Sequence, residues 1–259
     1  MDLGLKGKRA IITGASRGIG RAIADLLVAE GTDVAICARG EAGVKAAVDA
    51  FRVAGVNAYG EALDVTDEAA LARWFGNAVE HLGGLDILIS NVSTRIQSQG
   101  AQRWQDTFDV DFMQHVRTAE LAVEPLGGAD RDGNAGGSIV FVSSIASAMA
   151  DIIPLEREYG VMKSALNTYA TQLAHRLAKR GVRSNVVCPG PIDFPGGFWD
   201  QVRQAQPPLF EAAAKLSALQ RHGTAEEVAN AVVFLASPAA SYVTGANLRI
   251  DGGALKHVQ

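Results

Sequence analysis

A short apolar strand, followed by a glycine-rich turn and a helix, constrains the fold of this chain more than any other feature. Residues 8–13 read Lys-Arg-Ala-Ile-Ile-Thr, and their apolar run is typical of a strand buried on both faces of a parallel sheet. The turn Gly14-Ala15-Ser16-Arg17-Gly18-Ile19-Gly20 follows, and apolar residues then recur at helical spacing until Gly31 ends the helix. Such glycines let the backbone turn sharply and approach a pyrophosphate at the helix N-terminus. The pattern predicts a dinucleotide site, and its alternative is a tight turn with no ligand.

The alternation of strand and helix continues to the end of the chain. Further strands are predicted over residues 33–38, 57–63, 86–89, 138–142, 183–188 and 246–250. Helices are predicted between them, over residues 41–54, from Asp67 to about 82, over 101–124, from Tyr159 to Gly181 and from Thr224 to 236. No linker divides this pattern. It predicts an α/β fold of one doubly wound Rossmann-type domain over residues 1–259, with a parallel sheet of about seven strands flanked by helices on both faces.

Composition excludes several classes of function. Of the 259 residues, 48% are hydrophobic and 20% are charged, as in an ordinary globular protein, and the net charge of −4 without a basic run argues against a nucleic-acid partner. Cys37 and Cys188 lie in predicted strands, which indicates reduced thiols and a cytoplasmic location. Neither a signal-peptide pattern nor an apolar run of membrane-spanning length is present. The five histidines show no metal-ligand spacing, so we expect no metal site.

The end of the second predicted strand indicates which dinucleotide is bound. Folds that select NAD carry an acidic residue here, which binds the ribose hydroxyls. This chain has Ala38 instead, followed by Arg39, and Arg17 in the glycine turn could reach the same ribose. Two guanidinium groups and no carboxylate favour a 2′-phosphate, and therefore NADP(H) over NAD. The alternative for either arginine alone is a solvated surface charge.

Tyr159 and Lys163 lie four residues apart and therefore share one face of a predicted helix. A phenol has a pKa near ~10, and a neighbouring ammonium lowers it because the positive charge stabilises the phenolate. Tyr159 would then suit general acid/base catalysis. Ser144, at the end of the fifth predicted strand, could hold a substrate oxygen beside it. Alone, such a tyrosine–lysine pair also occurs by chance on solvated helices.

Together these motifs resemble the short-chain dehydrogenase/reductase family over nearly the whole chain. The glycine signature Thr-Gly-x-x-x-Gly-x-Gly matches from Thr13 to Gly20, and the Tyr-x-x-x-Lys motif and its upstream serine match Tyr159, Lys163 and Ser144. Further matches are the adenine-contacting pair Asp64-Val65, the asparagine Asn91 after the fourth strand, the segment Asn185-x-x-x-Pro189-Gly190 with Ile192 placed to bind the nicotinamide carboxamide, and the C-terminal turn Asp251-Gly252-Gly253.

The resemblance implies hydride transfer between NADP(H) and a small-molecule carbonyl or secondary alcohol, in a homodimer or homotetramer. Tyr159 would exchange the proton, Ser144 would bind the reacting oxygen, and Lys163 would lower the pKa of Tyr159 and bind the nicotinamide ribose. Reduction of a 3-oxoacyl compound is one candidate reaction. Ser147 is a weaker alternative to Ser144, since the segment before Tyr159 is about two residues longer than is usual in the family.

Three residues depart from the family pattern. Asp111 replaces an asparagine that anchors a proton relay to the lysine; its carboxylate could offset the charge of Lys163, or it could point at a helix neighbour or the surface. Ser93 replaces a glycine and either narrows the cofactor channel or faces outward. Phe194 replaces a threonine that binds the cofactor. An NADP-binding sensor or structural subunit, with weak or no turnover because of Asp111, is therefore the alternative function.

Two apolar segments, residues 149–155 and 194–210 within a substrate loop of about 194–217, should border the substrate pocket. Their composition favours a hydrophobic substrate over a sugar. The alternative is that both segments pack on each other or on a neighbouring subunit. Arg95 and Arg157 near the mouth of the pocket could bind a carboxylate or a phosphate.

Overall fold

Seven parallel strands form one sheet in the computed structural model, which describes residues 2–93, 97–126, 136–150 and 157–256. The strands in chain order are β1 (Arg9–Thr13), β2 (Asp33–Ala38), β3 (Ala58–Ala62), β4 (Ile87–Ser90), β5 (Ser138–Val142), β6 (Arg183–Pro189), β7 (Ile192–Asp193), β8 (Gly223–Thr224) and β9 (Asn247–Ile250). The large sheet has the order β3-β2-β1-β4-β5-β6-β9, and β7 pairs with β8 separately. The predicted seven-stranded parallel sheet is confirmed. The short β7–β8 ladder was not predicted.

The helices alternate with these strands. They are α1 (Gly18–Ala29), α2 (Glu41–Val53), α3 (Glu68–Leu82), α4 (Gly100–Phe108), α5 (Gln114–Leu126), α6 (Arg157–Leu177), α7 (Phe198–Ala205), α8 (Pro207–Ala214) and α9 (Ala225–Ala236). Asp67 accepts a hydrogen bond from the Ala70 N–H at the start of α3, and Thr224 with Glu227 forms a capping box on α9. Both predicted helix starts therefore have the side-chain caps that the sequence indicated.

Each face of the sheet packs against its own set of helices. Alternate residues of a strand point to opposite faces, so Ile12 faces one core and Ile11 the other. The first core contains apolar residues of α1, α2 and α9, and the second contains those of α3, α5 and α6. Because both faces are covered, the central strands β1, β4 and β5 are apolar and buried along most of their length, which confirms the doubly wound Rossmann-type fold.

The order of the strands reverses at β1, which lies between β2 and β4. In a doubly wound sheet the carboxyl ends of the strands form a crevice at such a point. The glycine turn follows β1, Asn91 follows β4, Ser144 lies shortly after β5, and Gly190 follows β6. The fold therefore brings the predicted site residues to one edge of the sheet.

Two segments differ in detail from the sequence expectation. The long helix predicted over residues 101–124 is divided into α4 and α5 by one π-helical turn, Asp109–Met113. The predicted substrate loop contains the two short helices α7 and α8. Within the described ranges, none of the helices has the length and apolar character needed to cross a membrane. The same residues contain no cluster of three or more His, Cys, Asp or Glu side chains suited to a metal ion.

Candidate active site

A cleft of about 870 Å³ opens at the carboxyl ends of the strands. It extends from the glycine turn after β1 to the substrate segment around α7. Most of the predicted site residues line it: Gly14, Ser16, Arg17, Ile19, Gly20, Arg39, Asp64, Val65, Asn91, Ser144, Tyr159, Pro189, Gly190 and Ile192. Gly18, Asp111 and Lys163 do not reach its surface. One cleft thus joins the predicted dinucleotide site to the predicted catalytic residues.

At the glycine turn, the segment that follows β4 closely approaches the end of β1. The Asn91 side-chain amide donates to the carbonyl oxygens of Thr13 and Gly14, at 3.2 and 3.1 Å, and so ties β4 to the end of β1. Gly14 has φ of +70°, a conformation that glycine adopts without strain. No side chain of the described residues caps the start of α1, so its first N–H groups are available to an anion. This geometry fits a bound pyrophosphate.

Phe194 packs directly on the glycine turn. A Cβ atom placed on Gly18 would lie 2.5 Å from the Phe194 ring, so that only glycine leaves room for the ring. From the sequence, the only expected effect of Phe194 was the loss of the hydroxyl of the threonine that is usual in the family. The structure adds that its ring covers Gly18, which explains why Gly18 does not line the cleft.

The two arginines predicted to select the nucleotide both line the cleft, and Arg39 directly follows β2. Arg17 Nη1 donates to the Gly196 carbonyl oxygen at 3.0 Å, so this guanidinium also contacts the substrate segment. Arg39 is exposed and follows the half-buried Ala38. Asp64 accepts hydrogen bonds from the N–H and hydroxyl groups of Thr66, at 2.9 and 2.8 Å. Among the described residues that line the cleft, Asp64 is the acidic one.

Ser144 and Ser147 have different surroundings. Ser144 lines the cleft, and its Oγ accepts a hydrogen bond from the Ala146 N–H at 3.1 Å. Ser147 Oγ instead donates to the Ser144 carbonyl oxygen and accepts from the Asn167 amide, at 2.7 and 2.9 Å. Ser147 is not among the residues that line the cleft. The geometry thus favours Ser144 over Ser147 as the hydroxyl beside Tyr159.

Lys163 is completely buried behind Tyr159. The side chain of Lys163 is 0% exposed, and its Nζ lies 5.6 Å from the centre of the Tyr159 ring. Nζ makes no hydrogen bond of good geometry within the described residues, and its charged neighbour is Asp111 Oδ1 at 3.2 Å. An ammonium without a full set of acceptors can still donate to a bound ligand.

Asp111 forms a buried ion pair, so the hypothesis that it points at the surface is wrong. The π-helical turn after α4 directs its carboxylate inward, and Oδ1 accepts a hydrogen bond from Ser93 Oγ at 2.6 Å while facing Lys163. Burial raises the pKa of the Asp111 carboxyl, and Lys163 and Ser93 act in the opposite direction. Ser93 is exposed and lines the cleft, and its hydroxyl turns toward Asp111. The two departures from the family pattern are therefore in direct contact.

Two further buried polar residues lie near this ion pair, and no motif of the sequence indicated them. His115 Nδ1 lies 2.7 Å from Ser90 Oγ, and burial together with the charge of Lys163 holds the pKa of His115 well below its ordinary value. The Gln114 amide donates to the carbonyl oxygens of Val92 and Val110, at 3.2 and 3.0 Å. Both side chains brace the π-helical turn against the end of β4. A neutral His115 adds no charge to the site.

Aromatic and apolar side chains line the substrate end of the cleft. They are Met149, Phe194, Phe198, Trp199 and Leu216. Arg157 instead borders a smaller pocket with Arg103 and Trp104. Arg95 and residues 151–155 lie outside the described residues. The lining agrees with an apolar substrate.

Comparison with known proteins gives matches over nearly the whole chain. A family model described as enoyl-(acyl carrier protein) reductase matches residues 14–254. The isoepoxydon dehydrogenase of Penicillium expansum is 33% identical, with 98% of this chain and 96% of the relative covered. A 3-oxoacyl-[acyl-carrier-protein] reductase of Salmonella typhimurium is 32% identical, with 97% and 98% covered. The structure of L-sorbose reductase from Gluconobacter frateurii, complexed with NADPH and L-sorbose, has a TM-score of 0.87, 30% identity and 100% of both chains covered.

Proposed function

The chain belongs to the short-chain dehydrogenase/reductase family of oxidoreductases, and from this premise we propose that it transfers a hydride between NADP(H) and the carbonyl or secondary alcohol group of a small apolar substrate. One observation carries the proposal. Ser144 and Tyr159 line the same cleft as the glycine turn, and Lys163 is buried directly behind Tyr159. The matched relatives are named as dehydrogenases and reductases, which favours an enzyme over a binding protein without turnover.

The cleft fits a nicotinamide dinucleotide. The glycine turn lines the cleft at the uncapped start of α1, and the buried Lys163 ammonium has no hydrogen-bond acceptor of good geometry among the described residues. Gly14, Ser16, Ile19 and Gly20 would hold the pyrophosphate end, with Gly18 shaping the turn. Asp64, Val65 and Asn91 would border the adenosine, and Pro189, Gly190 and Ile192 the nicotinamide. When bound, the dinucleotide supplies or accepts the hydride.

The proton transfer is assigned to Tyr159. Its hydroxyl would donate a proton to the oxygen of the carbonyl group as that oxygen gains negative charge. The Ser144 hydroxyl would donate a hydrogen bond to the same oxygen and stabilise the charge. Lys163 would favour the phenolate left on Tyr159, because an ammonium lies close behind the ring. In the reverse direction Tyr159 would accept the proton of an alcohol.

An apolar substrate is favoured by the aromatic lining around Trp199. The relatives named above act on different compounds, among them a 3-oxoacyl group and a sugar by their names. A panel of ketones, 3-oxoacyl thioesters and ketoses, followed by the absorbance of NADPH, would identify the class. We further propose that residues 1–259 act as one catalytic domain, in a homodimer or homotetramer in the cytoplasm.

Tyr159→Phe tests the mechanism. We expect NADPH binding within about twofold of wild type and a turnover number about 10²–10⁴ lower, because the substitution removes only the phenolic hydroxyl that exchanges the proton. Fluorescence titration measures binding, and NADPH absorbance with the best substrate of the panel measures turnover. Tyr242→Phe, at a fully exposed tyrosine, is the matched control. Turnover undiminished in Tyr159→Phe would refute the assignment.

Replacing Arg17 and Arg39 tests the preference for NADP. Each substitution by serine should weaken NADPH binding about 10- to 100-fold, since a charge-assisted hydrogen bond to the 2′-phosphate is lost, and leave NADH binding unchanged. Arg21→Ser, which removes a guanidinium paired with Asp25 on α1, is the control. If wild type binds NADH as tightly as NADPH, the roles given to both arginines are wrong.

A further inference from the structure

Two residues that depart from the family pattern, Ser93 and Asp111, meet at the candidate active site, where Ser93 lines the cleft and Asp111 is buried below it. Ser93 Oγ donates to Asp111 Oδ1 at 2.6 Å, and the same oxygen lies 3.2 Å from Lys163 Nζ. Ser93 follows β4, Asp111 belongs to the π-helical turn and Lys163 belongs to α6. The contact therefore connects three elements immediately behind Tyr159, whose ring centre lies 5.6 Å from the ammonium.

Three titratable groups near Asp111 on the neighbouring helices and on its own turn have partners elsewhere or carry no charge. Arg103 on α4 lies 3.5 Å from Glu158 on α6. Asp109, at the start of the π-helical turn, accepts a hydrogen bond from the Gln105 amide at 3.0 Å. His115 on α5 is fully buried and neutral. Asp111 is therefore the carboxylate, among the described residues, that faces the Lys163 ammonium at ion-pair distance.

We propose that Ser93 and Asp111 form one positioning unit, which holds the Lys163 ammonium behind Tyr159 and offsets part of its positive charge at the phenol. An ammonium alone favours the phenolate, whereas a carboxylate behind it favours the protonated phenol. A Tyr159 that keeps its proton is suited to donation, the direction in which a carbonyl is reduced. The inference rests on the proposed function for the role of Tyr159 as proton donor.

Titration of the tyrosines tests this inference without substrate or cofactor. The chain has four tyrosines, and ionisation of Tyr159 is isolated as the ultraviolet phenolate signal lost in Tyr159→Phe. Burial and its bond to Glu61 raise the pKa of Tyr59 to about 12, and burial also raises the pKa of Tyr169. These two tyrosines therefore ionise above the ordinary range and do not obscure the difference signal.

Asp111→Asn should lower the midpoint of the Tyr159 titration by roughly one pH unit, because the charge of Lys163 is then no longer offset. Ser93→Ala should lower it by a smaller amount, because the Asp111 carboxylate keeps its charge but is held less firmly beside Lys163. Combining both substitutions should give the same midpoint as Asp111→Asn alone. Asp109→Asn, the matched control on the same turn, should leave the midpoint unchanged. An unchanged or higher midpoint in Asp111→Asn would overturn the inference.

Thermal unfolding of Ser93→Ala gives a second measurement, which does not require Asp111→Asn to fold. Ser93→Ala in the wild-type background should lower Tm by roughly 3–6 °C, because a charge-assisted hydrogen bond is lost. An unchanged Tm in Ser93→Ala would contradict the unit. The outcomes also separate this inference from the proposed function. If Asp111→Asn shifts the Tyr159 titration as expected but Tyr159→Phe keeps full turnover, the proposed mechanism is refuted, whereas the effect of the ion pair on Tyr159 still holds.

Discussion

Gly20→Ala is the substitution whose effect follows most directly from the structure. Gly20 is the last residue of the glycine turn and lies in the first turn of α1. A Cβ atom at this position would lie 2.5 Å from the Asn91 amide nitrogen and still closer to the Gly14 carbonyl oxygen. The Gly14 oxygen belongs to the backbone and cannot move independently. Alanine at residue 20 must therefore push the Gly14 backbone and the Asn91 side chain away from the start of α1.

The expected cost combines three effects. Overpacking of a close contact costs about 1–3 kcal/mol. Displacement of Asn91 weakens its two hydrogen bonds to the end of β1, at about 1 kcal/mol each. Against this, alanine in a helix is about 1 kcal/mol better than glycine. The free energy of unfolding should therefore fall by about 2–4 kcal/mol.

Urea denaturation of Gly20→Ala measures this cost, and Gly76→Ala is the matched control. Gly76 lies in α3, and a Cβ there would have no neighbour within 4 Å. The control keeps the helix-propensity gain without the clash and should be stabilised by about 0.5–1 kcal/mol. NADPH binding should weaken in Gly20→Ala alone. If Gly20→Ala is as stable as Gly76→Ala, the reasoning from close approach is refuted.

Two predictions concern α9. The Arg221 side chain, with the Thr224 N–H, holds the pKa of Glu227 down to about 2. Glu227→Gln should therefore lower the free energy of unfolding by about 1 kcal/mol at pH 7, where the carboxylate caps α9. In urea denaturation this difference between variant and wild type should disappear as the pH falls from ~4.3 through about 2, because the carboxylate is then protonated. A difference that persists at pH 2 contradicts the assignment. Arg183 donates four hydrogen bonds to carbonyl oxygens at and beyond the end of α9. Arg183→Lys should lower the free energy of unfolding by about 1–3 kcal/mol, because an ammonium cannot match the geometry of the guanidinium. Arg176→Lys, at a half-exposed ion pair, is the control and should change it by less than ~0.5 kcal/mol in the same urea denaturation.

The fold was largely predictable because its signals are local. The seven strands of the sheet lie within one or two residues of their predicted bounds, since strands covered on both faces are short apolar runs bounded by turn residues. The caps Asp67 and Thr224 mark helix starts through bonds to residues three positions away. The ladder between β7 and β8 joins short segments about thirty residues apart, and no local pattern indicates it.

The sequence by itself determined the α/β architecture, the glycine turn and the spacing of Tyr159 and Lys163 on one helix, because each depends on residues close along the chain. Only the tertiary structure decided what Asp111 does. A carboxylate in a helix can face solvent or the interior, and the choice depends on a π-helical turn and on Ser93, eighteen residues earlier. The fold brings Ser93, Asp111 and Lys163 together from three separate segments, so that two departures from the family pattern contact each other beside a buried ammonium.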